Sequence, residues 1–130
     1  MIGDVLEGGL HISTLPDGKK VILSPKSTEK LVPYAEISLI EALLSIDGYD
    51  NWFIPDTDLM VYLLQHYNII KDTIPEEYSM RFEKGYWTFN EQDSDGDYAK
   101  TVKMQLSGVP YWVGVDSKKL SFYVRAFKLI

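Results

Sequence analysis

The chain has 130 residues, a formal net charge of −6, 45% hydrophobic residues, 25% charged residues and no cysteine. This length and composition are typical of one globular domain that buries its own core, so neither a disulfide nor a metal is needed for folding. The negative charge is opposite to that of a phosphate-binding surface and argues against nucleic acid and anionic membranes as partners. The lack of cysteine excludes disulfides, thiolate zinc sites, iron–sulfur clusters and cysteine nucleophiles.

The first residues do not resemble a targeting segment. Residues 1–9 hold two acidic residues and three glycines, whereas a secretory signal has a basic start and an apolar run of about 7–15 residues. No stretch approaches the ~18 apolar residues of a membrane span. We therefore expect synthesis in the cytoplasm without a signal peptide, no membrane insertion, and export, if any, by a signal-independent route.

The N-terminal part predicts a β-hairpin. Residues 10–15 and 21–23 are short β-type runs, and Pro16, Asp17 and Gly18 lie between them. Proline supplies a φ near −65° and glycine supplies the positive φ of a tight turn.

A first helix is predicted over residues 38–47, where apolar residues recur at helical spacing. Ser38 and Glu41 have capping-box spacing, and Gly48 stands where a terminating glycine is expected. A start at Pro33 fits the pattern as well, in which case Ser38 is interior and the capping-box spacing is accidental.

A second helix is predicted from about Asp56 to about Tyr67. Pro55 marks the break before it, and Asp56 and Asp58 place negative charge at its N-terminus. Asn68 is the expected stop.

The second half is predicted to be mainly β. Strand-like runs cover residues 86–89, 100–106, 111–115 and 121–130. In residues 100–106 apolar and polar residues alternate, which indicates one buried and one wet face. Residues 121–130 are apolar on both faces, which is typical of a central strand. A hairpin, two helices and a β meander, in that order, predict an α+β fold.

Three segments together resemble the DUF1566 family, also called the Lcl C-terminal domain. Residues 48–59, GYDNWFIPDTDL, are similar to its Gly-x-x-Asp/Asn-Trp-Arg-Leu-Pro-Thr signature. Residues 85–91, GYWTFNE, are similar to its Tyr-Trp-Thr-Ser-Thr-Glu segment, and residues 123–127, YVRAF, to its closing Val-Arg-Pro-Val-Arg strand. The resemblance covers about residues 35–130.

The resemblance implies a C-type-lectin-like fold with paired N- and C-terminal strands, two helices and a second sheet with variable loops. It also implies roles in adhesion and ligand binding, glycans included, in bacterial surface and phage-associated proteins. We interpret the motif residues as structural. Trp52 and Trp87 are expected to pack the helices against the sheet, Pro55 to start a helix, and Arg125 to pair internally with a carboxylate.

The residues of enzyme chemistry are sparse. Neither His11 nor His66 accompanies a recognisable nucleophile motif, and no His-x-x-x-His spacing or glycine-rich phosphate loop occurs. His66 shares a predicted helix face with apolar residues, which favours a partly buried, hydrogen-bonded histidine. We therefore expect no enzymatic activity.

An acidic cluster is the one sequence feature with coordination character. Asp93, Asp95 and Asp97 are spaced so that their carboxylates can converge on a hard cation such as calcium. An EF-hand is excluded, because Tyr98 and Met104 occupy the positions of its glycine and glutamate. The alternative is a solvated acidic turn. We expect no cofactor, with calcium as a weak candidate.

A contact surface is predicted on the segments 90–98 and 107–112. The first is densely acidic, and the second places two aromatic residues beside a Gly-Val-Pro turn. An aromatic anchor with a polar rim is typical of interfaces, although Trp112 could instead pack inward. The predicted binding residues are Glu91, Asp93, Asp95, Asp97, Tyr111 and Trp112.

The resulting functional hypothesis is a non-catalytic ligand- or receptor-binding module of a phage particle or bacterial surface assembly. Its expected partners are a protein or glycan receptor. The alternative is a structural virion or appendage subunit whose surface serves assembly, with other subunits, including copies of itself, as partners.

Overall fold

The computed structural model describes residues 1–90, 93, 96–105 and 111–130. These residues form an α+β fold of two helices and two sheets, as predicted. The first sheet has the order β1-β2-β3-β9 and contains Val5–Leu6 (β1), Gly9–Thr14 (β2), Lys20–Leu23 (β3) and Phe127–Leu129 (β9). The second has the order β4-β8-β5-β6-β7 and contains Lys30–Pro33 (β4), Tyr86–Trp87 (β5), Tyr98–Met104 (β6), Tyr111–Ser117 (β7) and Ser121–Val124 (β8).

The predicted N-terminal hairpin is confirmed. Strands β2 and β3 pair antiparallel, and Gly18 takes the positive φ of 89° that the turn requires. The hairpin is then extended from the far end of the chain, because β9 pairs antiparallel with β3.

Helix α1 (Ile37–Leu43) follows a 3₁₀ turn over Tyr34–Glu36, so the start at Pro33 is the correct alternative. The predicted capping box is wrong, because Ser38 is interior and Glu41 Oε2 instead accepts the N–H of Ile54 (2.8 Å). The predicted end at Gly48 is also wrong. Asp47 (φ 52°) and Gly48 (φ 83°) form a separate tight turn, in which consecutive positive φ values reverse the chain.

Helix α2 (Thr57–Ile70) begins where the sequence indicates. Asp56 is its N-cap, and its Oδ1 accepts the N–H of Leu59 (2.8 Å). Asn68 does not stop the helix, which continues to Ile70. Ile70 packs against the core, and this contact favours the additional helical residues.

The predicted central strand over residues 121–130 is wrong. It is two strands, β8 and β9, in different sheets, with Arg125 and Ala126 between them. The segment has apolar residues on both faces because its two halves pack in different sheets.

The core consists of two clusters. In the first, α2 packs between β2, β3 and the inner face of β6. The second contains Trp52 and Trp87 together with Ile37 of α1. Both tryptophans are buried, as predicted, but they pack against α1 and not α2.

Arg125 is buried and has no exposed surface. Its Nη1 donates to Glu29 Oε2 (2.7 Å) and Ser79 O (2.9 Å), its Nη2 to Ser24 O (2.6 Å) and Tyr78 O (2.9 Å), and its Nε to Ser24 O (2.9 Å). The predicted internal ion pair is therefore confirmed. Arg125 thus joins the segment 24–29 to residues 78 and 79. Because all five of its guanidinium N–H groups are hydrogen-bonded within the protein, it is not free to bind a ligand.

Within the described part of the chain, no helix has both the length and the apolar character needed to cross a membrane.

Candidate functional site

The structure describes part of each segment of the predicted contact surface: Asn90, Asp93 and residues 96–98 of the first, and Tyr111 and Trp112 of the second. Segment 90–98 leads into β6 at Tyr98, and segment 107–112 follows its end at Met104. Tyr98 is the first residue of β6 and Tyr111 pairs with its last residue, Met104, and a strand of seven residues extends about 20 Å. Among the described residues, Tyr98 and Tyr111 thus lie at opposite ends of β6, and one surface shared by the whole of both segments stays a prediction. Glu91, Asp95 and residues 106–110 lie outside the described residues.

Asp93 is engaged inside the protein. Its Oδ2 accepts hydrogen bonds from Asn90 Nδ2 (3.0 Å) and from the N–H of Lys100 (3.2 Å). Asn90 in turn accepts the N–H of Thr57 (2.9 Å) and donates to Thr88 Oγ1 (3.0 Å). These bonds fix the start of α2 to the sheet, so Asp93 has a structural role.

Asp97 is exposed. Among residues 1–90, 93, 96–105 and 111–130, no group of three or more His, Asp or Glu side chains could hold a metal ion. Calcium binding by the acidic cluster stays a prediction, because Asp95 is outside those ranges.

Tyr111 and Trp112 project to opposite faces of β7. Tyr111 is half-buried and packs against the core cluster that contains α2. The Trp112 side chain is 56% exposed. Of the predicted aromatic pair, Trp112 is thus the residue that remains accessible to a partner.

Trp112 lies on a shallow groove of about 530 Å³ on one face of the second sheet, hereafter the Trp112 groove. The register explains which residues share this face, because Lys103 pairs with Trp112 and Thr101 with Gly114. The groove is lined chiefly by Thr101, Lys103, Trp112, Gly114, Asp116 and Phe122.

Glycines form part of the groove's floor. A Cβ at Gly85 would lie 2.6 Å from Phe122 Cδ1, and a Cβ at Gly114 would lie 3.2 Å from Thr101 Oγ1 and 3.3 Å from Asp116 Oδ2. A side chain at either position would therefore crowd residues that line the groove.

Charged groups of both signs flank the indole. Lys103 Nζ lies 5.2 Å from the centre of the Trp112 ring, within cation–π range. Thr101 Oγ1 donates to Asp116 Oδ2 (2.7 Å), which orients this carboxylate. The groove therefore offers an aromatic surface for stacking, an ammonium donor and a carboxylate acceptor, which suits a ring with a polar edge.

The histidines form a separate polar cluster. His66 Nδ1 lies 3.3 Å from Ser13 Oγ, and the His66 ring contacts the Tyr62 ring at 4.4 Å with the two planes tilted by 43°. His66 is partly buried and hydrogen-bonded, as predicted. His11 is buried, with Nε2 2.9 Å from Ser13 O. Ser13 is itself buried, at 2% exposure.

Sequence reasoning found Trp112 but missed its neighbours in the groove. Alternation along β6 predicted that Thr101 and Lys103 share a face, but a pattern does not tell which part of a sheet face is covered. Gly85 and Gly114 gave no recognisable signal.

Comparison with protein families finds no matching family model, and comparison with curated proteins finds no match.

Proposed function

We propose that this protein is a non-catalytic ligand- or receptor-binding module and that the Trp112 groove is its contact surface. The observation that carries the proposal is the 56% exposure of Trp112 beside Lys103 and Asp116. A large aromatic side chain left in solvent, with charged groups around it, is typical of a binding hot spot.

The chemistry of the groove favours a partner that presents a ring or flat apolar surface with polar edges. A glycan receptor fits, because a sugar ring can stack on the indole while its hydroxyls reach Asp116 and Lys103. A protein receptor fits in the same way through an aromatic or aliphatic side chain. In neither case does the proposed role require a metal or a cofactor.

We further propose that the domain is C-type-lectin-like and related to the DUF1566 family. Two observations support this proposal: the element order of hairpin, helices and meander, and the pairing of β9 with the N-terminal hairpin. The buried positions of Trp52, Trp87 and Arg125 agree with a structural role for the motif residues. This relationship favours a phage particle or a bacterial surface assembly as the setting.

The alternative function, a structural subunit of a virion or appendage, is favoured by a different observation. Strand β7 is an edge strand of its sheet and carries exposed apolar residues. Such an edge is suited to assembly with other chains.

The binding role can be tested with a glycan array followed by titration of the strongest glycan. Trp112→Ala should weaken its binding about 30-fold or more, which corresponds to about 2 kcal/mol. The matched control is Ile69→Ala, which removes another exposed hydrophobic side chain, on α2 and away from the groove.

The control should bind like the wild type. Equal binding by Trp112→Ala would contradict the location of the site. A wild-type protein that binds no glycan would contradict the glycan form of the proposal.

A further inference from the structure

Strand β7 ends the second sheet on one side. Its pairing with β6 is continuous from Tyr111 to Ser117, without a bulge. The opposite edge strand, β4, begins with Lys30 and ends with Pro33, residues that hinder the addition of another strand. The seven residues of β7 contain no proline and a single charge, Asp116. The β7 edge therefore lacks the usual protection.

The hydrogen-bond pattern shows which backbone groups point outward. The N–H of Lys118 donates to Asp97 O (2.9 Å). In an antiparallel ladder every second residue is hydrogen-bonded to its partner, so the backbone groups of Asp116 and Gly114 also bond to β6. Consistently, Lys100 O accepts from Thr88, so the alternate residues of β6 bond to β5. The N–H and C=O groups of the intervening β7 residues, Val113 and Val115 among them, face the open edge.

The side chains at this edge are exposed as well. Val115 is 65% exposed and Val113 is 37% exposed, and both project to the face opposite Trp112. Within the described part of the chain, no strand pairs with β7 other than β6. Open hydrogen-bonding groups next to exposed β-branched residues are suited to strand addition.

We propose that the occupant of this edge is β7 of a second copy of the chain, paired antiparallel about a twofold axis at Gly114. In this register the outward-facing residues meet one another: Val113 faces Val115 of the second copy, and Tyr111 faces Ser117. Four such pairs provide about eight main-chain hydrogen bonds. The two valine pairs are covered at the same time.

Charge complementarity favours a second copy over an unrelated strand. The same register places Asp116 of each copy opposite Trp112 of the other. The ammonium of Lys103 lies 5.2 Å from the centre of that ring. The carboxylate of Asp116, the one charge on β7, is thus brought towards the ammonium of Lys103 of the other copy, and symmetry repeats this contact.

The dimer would join the two five-stranded sheets edge to edge and place both Trp112 grooves on one continuous face. A repeated ligand could then be bound at two points, which strengthens attachment without a new contact. The pairing itself goes beyond the proposed binding function and does not depend on it.

Val115→Pro tests the pairing with little cost to the fold. The N–H of Val115 faces outward, so proline removes a bond to the second copy and none to β6. By sedimentation velocity, the wild type should rise from 14.9 kDa towards twice that mass as its concentration increases. Val115→Pro should stay at 14.9 kDa, and the matched control Val115→Thr, which keeps the N–H and a β-branched side chain, should associate like the wild type.

Two outcomes would overturn the proposal. One is a wild type that is monomeric up to about 1 mM, the range of very weak association, which would leave the edge to a strand of another protein. The other is a Val115→Pro variant that associates as strongly as the wild type. If Val115→Pro does not fold, as judged by circular dichroism, Val113→Lys serves instead, since an edge lysine opposes strand addition.

A cross-link tests the register directly, because the chain has no cysteine. Gly114→Cys places a thiol on the proposed twofold axis, opposite the same residue of the second copy. Mild oxidation with diamide should give a covalent dimer of Gly114→Cys but not of Leu120→Cys, an exposed position outside β7. A Gly114→Cys variant that dimerises by sedimentation velocity but does not cross-link would overturn the proposed register.

Discussion

Two tryptophans on the same face of one sheet differ in their exposure to solvent. The register aligns Trp87 with Thr101, Thr101 with Gly114, and Lys103 with Trp112, so both indoles project to the same side. Trp87 has no exposed surface, whereas Trp112 is 56% exposed. The residue type is the same, so the difference comes from what covers each part of the face.

The covering layer is formed by neighbours of Trp87. The rings of Tyr34 and Phe122 contact its indole edge-on at 5.4 Å and 5.0 Å, and its Nε1 donates to Val32 O (2.8 Å). On Trp112, by contrast, the ammonium of Lys103 lies over the ring and the side chain is left mostly exposed. The comparison teaches that one sheet face can supply both a core and a contact surface, depending on where the packed layer ends.

The largest expected effect is on the covered side. Trp87→Ala should lower the free energy of unfolding by about 3–5 kcal/mol, because it leaves a large cavity and removes the hydrogen bond to Val32 O. Urea denaturation followed by circular dichroism measures this loss. A loss below about 1 kcal/mol would show that the Trp87 indole is not packed in the core, and the difference between Trp87 and Trp112 would then disappear.

A comparable contrast exists between two ion pairs. Arg125 and Glu29 form a buried pair, whereas Lys26 and Glu76 form an exposed one. Glu29→Gln should destabilise the protein by about 3 kcal/mol, because it leaves the buried guanidinium without its counter-charge. Glu76→Gln, the matched control, should leave the melting midpoint nearly unchanged. Equal effects of the two variants would show that burial does not set the importance of these pairs.

The covered region should also respond to alkaline pH. Burial, together with the adjacent Glu29 carboxylate, raises the pKa of Tyr86 above its usual value. The contribution of Tyr86 to stability is therefore complete below about pH 10, where the unfolded tyrosine ionises, and is lost as the pH rises above that value.

Urea midpoints measured from about pH 8 to about pH 11 should fall at the alkaline end. Tyr86→Phe should be less stable at neutral pH, because it loses the hydrogen bond to Glu29 (2.6 Å), but its alkaline decline should be shallower. Burial also raises the pKa of Tyr34, Tyr67 and Tyr78, so some decline should remain. An unchanged slope would contradict this role of Tyr86.

The smallest expected effect is on the open side. Trp112→Ala should change the free energy of unfolding by no more than about 0.5 kcal/mol, since an exposed side chain adds little to stability. Thermal melting of the variant beside Trp87→Ala gives the comparison in one experiment. A loss near that of Trp87→Ala would assign Trp112 to the core and leave the proposed contact surface without its main residue.

Local signals in the sequence predicted much of the fold. The turn at Gly18, the N-cap at Asp56 and the internal pairing of Arg125 each depend on a residue and its near neighbours or on the cost of burying a charge. The positions of Trp52 and Trp87 followed from the tendency of large apolar side chains to be buried. The start of the helical segment at Pro33, with a 3₁₀ turn before α1, was one of two alternatives that the pattern allowed.

Long-range arrangement set the limit of prediction. The run 121–130 has apolar residues on both faces, and nothing local indicates that it changes sheets at Arg125 and Ala126. For the same reason Glu29, in a polar connection, gave no sign of its contact with Arg125, 96 residues away. The position of the groove depends on where the residues that cover the sheet face stop. The alternation of apolar and polar residues along a strand does not give that position.

The change of sheets at Arg125 and Ala126 also bears on synthesis. Strand β8 completes the contact with β4, and β9 completes the contact with β3. The second sheet therefore cannot close until residue 124 has left the ribosome, and the first cannot close until residue 129 has, however early the N-terminal hairpin forms. Until then β3 and β4 each lack a pairing partner, and unpaired strand edges are where an unfinished chain is prone to associate with other chains.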